Sequence, residues 1–117
     1  MAGRLFLIHW NDAEAEDKAH ALRGDGWEVQ TESADGARGA KRLLADPPDV
    51  VVIWLTRLPS HGRETARFFR SSPAGRSTPI VFVGGGGEAL ETVRAKVPDA
   101  VYTAPDGLAA ALAPYAG

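Results

Sequence analysis

The chain of 117 residues contains no cysteine. This excludes disulfides, thiolate nucleophiles and cysteine-ligated zinc. Histidine is scarce, and His9, His20 and His61 are far apart without an adjoining carboxylate cluster, so no metal site is expected. We also expect no catalysis from Ser60 and His61, because adjacent residues at a helix start seldom point at each other. Ser60 is instead predicted to cap a helix N-terminus.

The chain also lacks a strong charge of one sign and any long hydrophobic run. Its formal charge of -2 makes nucleic acid an improbable partner and gives no general attraction to anionic lipid. The apolar run Leu5–Ile8 is too short for a signal peptide core or a membrane span. We therefore expect a cytoplasmic protein that does not contact a membrane.

Short apolar segments alternate with segments of helical period. The predicted strands are Leu5–Ile8, Trp27–Thr31, Val50–Leu55, Ile80–Val83 and Ala100–Thr103. The first helix is capped by Asn11 or Asp12, the second opens at Ser33 or Asp35, and the third begins near His61. Apolar positions around Val93 and Leu112 mark a fourth and a fifth helix.

Five repeats of strand and helix predict parallel strands joined by right-handed crossovers. The expected architecture is one three-layer, doubly wound α/β domain over residues 1–117, with strand order 2-1-3-4-5 and five helices. In such a sheet a ligand crevice lies at the carboxyl ends of strands one and three. His9, Trp10 and Trp54 occupy those ends.

The whole chain resembles the receiver domain of bacterial two-component response regulators, which has this flavodoxin-like fold. The matching stretches are Leu5–Ile8, "PPDVVVI", "LPSHG", "TPIVFV" and "DAVYTAP". The resemblance implies an acidic pair after strand one, a phospho-accepting aspartate ending strand three, a hydroxyl after strand four and a lysine before the strand-five proline. The corresponding residues here are His9, Trp10, Trp54, Gly84 and Ala104.

None of these residues can perform the family's chemistry. Counting from Pro59 moves the acceptor from Trp54 to Leu55, which cannot be phosphorylated either. Shifting the first motif to Asn11 and Asp12 restores one carboxylate at most. Magnesium needs hard oxygen ligands and phosphoryl transfer needs a nucleophile, so this member is interpreted as a degenerate pseudo-receiver without catalytic residues, metal or cofactor.

The remaining positions that the resemblance implies concern the switch and the partner surface. The family's proline is retained as Pro105, and a cis peptide is expected before it. The strand-five aromatic position holds Val101, and the neighbouring Tyr102 should point to the opposite face. Arg94 and Tyr102 lie on the surface through which family members often meet partners or dimerise. The sequence therefore favours phosphorylation-independent signalling through protein–protein contact, with a protein partner or a second copy.

Two interpretations of the tryptophans at the crevice stay open. Trp10 and Trp54 either fill the former acidic site as packing or form a platform for a flat ligand such as a flavin or nucleobase. The second reading makes the chain a flavodoxin-like small-molecule binding protein, although no phosphate-binding loop follows strand one.

Two further features have both a functional and a structural interpretation. The glycines Gly84–Gly87 either bind an anion through their amides or form a loop without such a role. Arg63, Arg67 and Arg70 share a helix face, with Arg57, Arg76 and His61 expected nearby. That face either docks an acidic partner or is a solvated surface.

Overall fold

The computed structural model describes residues 3–34, 36–55 and 59–116. The strands are β1 (Arg4–Ile8), β2 (Glu28–Glu32), β3 (Val50–Trp54), β4 (Ile80–Val83) and β5 (Val101–Thr103). The helices are α1 (Asp12–Gly24), α2 (Gly36–Ala45), α3 (Pro59–Arg70), α4 (Pro73–Ser77), α5 (Gly87–Lys96) and α6 (Leu108–Leu112), with 3₁₀ turns at Pro105–Gly107 and Ala113–Tyr115. Among the described residues, no helix is both long and apolar enough to cross a bilayer.

The five strands form one parallel sheet in the order β2-β1-β3-β4-β5, as the sequence predicts. The strands at the centre are apolar on both faces, and every residue of β3 and β4 is buried. Such strands need cover on both sides, which the helices provide. The predicted doubly wound α/β fold is therefore confirmed.

The sheet separates two hydrophobic clusters. The first core lies on the side of α1 and α6, where Leu22 and Leu112 meet alternate residues of β1, β3 and β4. The second core lies on the side of α2, α3 and α5, where Leu43, Phe69 and Val93 meet the other residues of the same strands. Because strand side chains alternate between faces, neighbouring residues at a strand end belong to different cores.

The structure corrects three expectations about the elements. A sixth helix, α4, forms where Ser72 accepts a hydrogen bond from the Gly75 amide and Pro73 occupies the first turn. Helix α3 begins at Pro59, so Ser60 lies inside the helix and is not its N-cap. The Ala104–Pro105 peptide is trans where a cis bond was expected; Ala104 is extended and Pro105 opens a 3₁₀ turn.

The other boundaries agree with the sequence within a residue or two. The side chain of Asn11 caps α1 by accepting from the Glu14 amide at 3.0 Å. Helix α2 ends at Ala45, before the Pro47-Pro48 pair that cannot continue it. Strand β2 starts one residue later than predicted and lies at the sheet edge. Asp35, proposed as one opener of α2, lies outside the described residues.

Candidate functional site

The carboxyl ends of β1 and β3 meet at one edge of the sheet. Ile8 is paired with Ile53, so the next residues, His9 and Trp54, lie side by side. Their ring centroids are 5.6 Å apart with an interplanar angle of 32°. His9 is buried, and its Nε2 lies 3.8 Å from a carboxylate oxygen of Glu14 in α1. This edge is therefore packed with rings where the family resemblance implies carboxylates.

Trp54 points into the first core and is 5% exposed. The ammonium of Lys18 lies 4.8 Å from the centre of the indole ring, within the range of a cation–π contact. The indole Nε1 is buried and has no hydrogen-bond partner among the described residues. Trp54 and Trp27 also line a groove of about 510 Å³ between α1 and α6. Trp54 is therefore part of the first core and also borders an open groove.

Trp10 lies on the opposite side of the sheet. It packs against the second core, the side to which Ile8 also points. A Cβ built on Gly36 would lie 3.5 Å from the tip of its indole, which places Trp10 near the start of α2. The alternative interpretation, in which Trp10 and Trp54 form one aromatic platform, is therefore not favoured, because the alternation of side chains sends them to different faces.

Leu55 occupies the other register for the acceptor, and it too is apolar and enclosed. It is 2% exposed and belongs to the second core. A Cβ on Gly85 would come within 3.0 Å of the Leu55 Cβ, and Gly85 has a φ of 75°, which suits glycine. The glycine loop thus lies directly over Leu55. In either register the acceptor position is a buried hydrophobic side chain.

The one carboxylate that a shifted first motif would restore is Asp12. It stands in the first turn of α1, is exposed, and accepts a hydrogen bond from the Ser33 hydroxyl at 3.0 Å. Its neighbour Asn11 is used as the helix cap. Within the described ranges, no group of three or more His, Cys, Asp or Glu side chains could hold a metal ion.

Tyr102 is fixed against α5. Its ring stacks on Phe82 at a centroid distance of 5.2 Å, and its hydroxyl lies 2.6 Å from the Val97 carbonyl oxygen. The Arg94 guanidinium lies 5.0 Å from the ring centre, so the structure brings these two predicted surface residues together. Burial raises the pKa of the Tyr102 phenol, while the Arg94 charge opposes that rise. Val101, by contrast, is partly exposed and directed to the other face.

Gly84–Gly87, called the glycine loop, and Ala104 lie at the same edge of the sheet, after β4 and β5. The Gly84 amide donates to the Thr103 carbonyl oxygen at 3.0 Å, so this amide is not available to an anion. Gly84, Gly85 and Gly87 all have positive φ, and Gly87 starts α5. Anion binding by the rest of the loop stays a prediction.

The predicted row of arginines on α3, called the arginine stripe, is only partly exposed to solvent. Arg70 donates to the carbonyl oxygens of Gly75 and Thr78 and lies 3.2 Å from an Asp99 carboxylate oxygen. It therefore joins α3 to the segment before β4 and to the start of β5. Arg63 is mostly buried beside Glu64, whereas Arg67 is half exposed. Arg76 is exposed, and Arg57 and the His61 side chain lie outside what the structure describes.

Sequence reasoning missed an ion pair whose carboxylate is buried and whose arginine is exposed. Glu32, at the end of β2, is 3% exposed and accepts from Arg38 at 2.8 and 2.7 Å. Its Oε2 also accepts from the Ala34 amide, and Arg42 lies 3.7 Å away. The sequence did contain a pattern that could have predicted this pair: an acidic residue at the end of an edge strand, followed by arginines six and ten residues later. These bonds fix the β2–α2 connection and leave the carboxylate fully engaged.

Comparison with known proteins identifies the fold. No protein-family model and no curated protein sequence matches the chain. Among solved structures, the chemotaxis protein CheY4 of Vibrio cholerae matches with a TM-score of 0.81 and 18% identity, covering 98% of this chain and 99% of that one. The receiver domain of a Pseudomonas aeruginosa sensor histidine kinase, with magnesium in its active-site cleft, matches at 0.77 and 22%, covering 98% of each chain.

A third match is a two-component response regulator of the LuxR family from Aurantimonas. Its TM-score is 0.75 at 21% identity, and the alignment covers 97% of this chain and 87% of that one. All three matches extend over nearly the whole chain at low identity. The chain therefore has the fold of response regulator receiver domains.

Proposed function

We propose that this domain is a pseudo-receiver, a two-component signalling module that acts through protein–protein contact and is not phosphorylated on an aspartate. The observation that carries the proposal is the side chain at the end of β3. Both positions that could correspond to the family's acceptor, Trp54 and Leu55, are buried and apolar. Neither offers an oxygen nucleophile to a phosphoryl donor.

The surroundings of these positions support the same proposal. Magnesium in a receiver is expected to need carboxylates next to the acceptor, and here His9 is packed against Trp54. Asp12, the one carboxylate that a shifted first motif would restore, accepts a hydrogen bond from Ser33 at the exposed start of α1. Ala104 replaces the lysine that would neutralise charge on a phosphoryl group. The acceptor, the metal ligands and the cation are thus all replaced.

The residues that would couple a phosphorylation site to the partner surface are replaced as well. Gly84 has no hydroxyl to follow a phosphoryl group, and Tyr102 is tied to the end of α5 by its hydroxyl. The surface that contains Arg94 and Tyr102 is therefore expected to keep one arrangement. A constant surface suits an adaptor whose partner recognises the folded domain itself, without enzymatic activity or a cofactor.

The flat-ligand alternative is not favoured. It requires one crevice lined by Trp10 and Trp54, and the two indoles belong to opposite faces of the sheet.

Treatment with acetyl phosphate and Mg²⁺, followed by intact-protein mass spectrometry, tests the proposal. We expect no covalent phosphoryl adduct under conditions in which a receiver domain with an acceptor aspartate is fully modified in the same tube. The matched variant Trp54→Phe should behave as wild type. A stoichiometric gain of one phosphoryl group on the wild-type chain would contradict the proposal.

A further inference from the structure

The surface between α2 and α3 has an unusual composition for a solvated face. Phe68 is 56% exposed and is the more exposed of the two large hydrophobic side chains described as exposed, the other being Val101 at 36%. Phe68 borders a groove of about 580 Å³. The groove and its rim, called the α2–α3 patch here, consist of Gly36, Ala37, Ala40, Glu64, Thr65, Arg67, Phe68 and Ser71.

The groove exists because α2 presents small side chains where it meets α3. A Cβ on Gly36 would lie 2.7 Å from the Thr65 hydroxyl, so the two helices are too close there for a larger residue. Ala37 and Ala40 continue this small-residue wall along α2. The chain therefore leaves an apolar hollow beside an exposed aromatic ring.

The charges of the patch are of both signs. Glu64 and Arg67 lie one turn apart on the exposed side of α3, with their charged atoms 3.8 Å apart. The other arginines of the predicted stripe do not add to this surface, because Arg70 binds carbonyl oxygens within the domain and Arg63 is mostly buried. A partner of one sign, such as an acidic peptide, would meet a like charge as well as an opposite one.

We propose that the α2–α3 patch is a two-fold symmetric interface between two copies of this chain. A two-fold axis that passes between Phe68 and the groove places the ring of each copy against the groove of the other. With this axis running across α3 between Thr65 and Ala66, the two α3 helices are antiparallel and Glu64 of each copy lies opposite Arg67 of its mate. A protruding ring beside a hollow and an acid beside a base form a self-complementary patch. This inference rests on the proposed function in that it names a second copy as one partner for protein–protein contact, at a surface separate from the one formed by α5 and β5.

Sedimentation velocity of the full chain, over protein concentrations up to about 1 mM, tests the interface. The wild-type chain should show a reversible monomer–dimer equilibrium. Phe68→Glu should raise the dimer Kd at least about 30-fold, because it puts a charge at the centre of the contact. Val101→Glu is the matched control on the other exposed hydrophobic residue and should leave the Kd unchanged. Far-UV circular dichroism confirms that each variant is folded.

Charge reversal tests the symmetry itself. Glu64→Arg and Arg67→Glu should each weaken the dimer by roughly three- to tenfold, since each brings like charges together. The double variant restores opposite charges in a symmetric dimer and should return the Kd to near the wild-type value. A heterologous partner surface would not recover in this way.

Three results would each overturn the inference: a wild-type chain that stays monomeric throughout, a dimer that survives Phe68→Glu, or a double variant as weak as the single ones. Phosphorylation can be tested on Phe68→Glu as well as on wild type. A failure of the dimer therefore leaves the proposal of an unphosphorylated receiver standing, and the reverse also holds.

Discussion

Replacement of Trp54 by alanine should show that the end of β3 has become core. The indole is 5% exposed, so it removes about 150–250 Å² from water. At about 25 cal/mol/Å² this burial corresponds to about 4–6 kcal/mol. The buried Nε1 without a described partner costs about 1–3 kcal/mol, and truncation removes that cost together with the ring. We therefore expect Trp54→Ala to lower the free energy of unfolding by about 3 kcal/mol.

Equilibrium unfolding in urea, followed by far-UV circular dichroism, measures this change. With a slope of about 1.5 kcal/mol/M, the midpoint should fall by about 2 M. Trp54→Phe is the matched control, because it keeps an aromatic ring in the first core and removes only the N–H and part of the area. Its free energy of unfolding should stay within about 1 kcal/mol of the wild-type value.

Two results would refute the reasoning about Trp54. If Trp54→Ala cost less than about 1 kcal/mol, the indole would not be part of the core. If Trp54→Phe cost as much as Trp54→Ala, a specific bond of Nε1 would matter more than the burial of the ring. Lys18 enters the same test, since its contact with the ring is worth about 0.5–1 kcal/mol at a partly exposed site. Lys18→Met should therefore have a much smaller effect.

Two further predictions concern stability. The raised pKa of Tyr102 means that the folded state holds the phenolic proton more tightly, so its contribution is complete below the ordinary pKa of 10.0 and is lost as the pH rises through the folded value. Tyr102→Phe should cost about 1 kcal/mol at neutral pH and, in urea titrations, should lose less stability than the wild type as the pH rises above 10.0; an unchanged pH profile would contradict this. In thermal unfolding, Gly75→Ala should lower the Tm because its Cβ would overlap the Phe69 carbonyl oxygen, whereas Gly24→Ala, with open space around it, should raise stability by about 0.4–1 kcal/mol. Equal Tm values for the two alanine variants would contradict the packing around Gly75.

The sheet could be predicted because its signal is local. Leu5–Ile8 and Ile80–Val83 are short apolar runs between turn residues, and such runs are read directly as buried parallel strands. The absence of an acceptor, an acidic pair and a lysine was inferred from residue types at the spacing that the family resemblance implies, and it stays a prediction. The extra helix α4 was missed because five residues are too few for a periodic pattern.

The arrangement of the site was not readable in the same way. Sequence placed Trp10 and Trp54 at one edge, but which face each side chain takes depends on the register between β1 and β3. The arginine stripe had the right helical spacing, yet Arg70 turned inward because carbonyl oxygens of Gly75 and Thr78 lie within its reach. The Glu32–Arg38 pair was not predicted because the burial of the Glu32 carboxylate depends on the packing of α2 over the strand end.

The amino-acid sequence by itself was enough to predict the α/β fold and the order of its strands, because hydrophobic period and residue type are properties of the chain. It also predicts the loss of the ionisable groups that receiver chemistry uses. Only the tertiary structure decided that the two indoles separate to opposite cores, that Tyr102 is held by α5, and that Phe68 stands beside a hollow. These are contacts between segments that are distant in the sequence. They arise from packing, because the position of each side chain depends on the strands and helices around it.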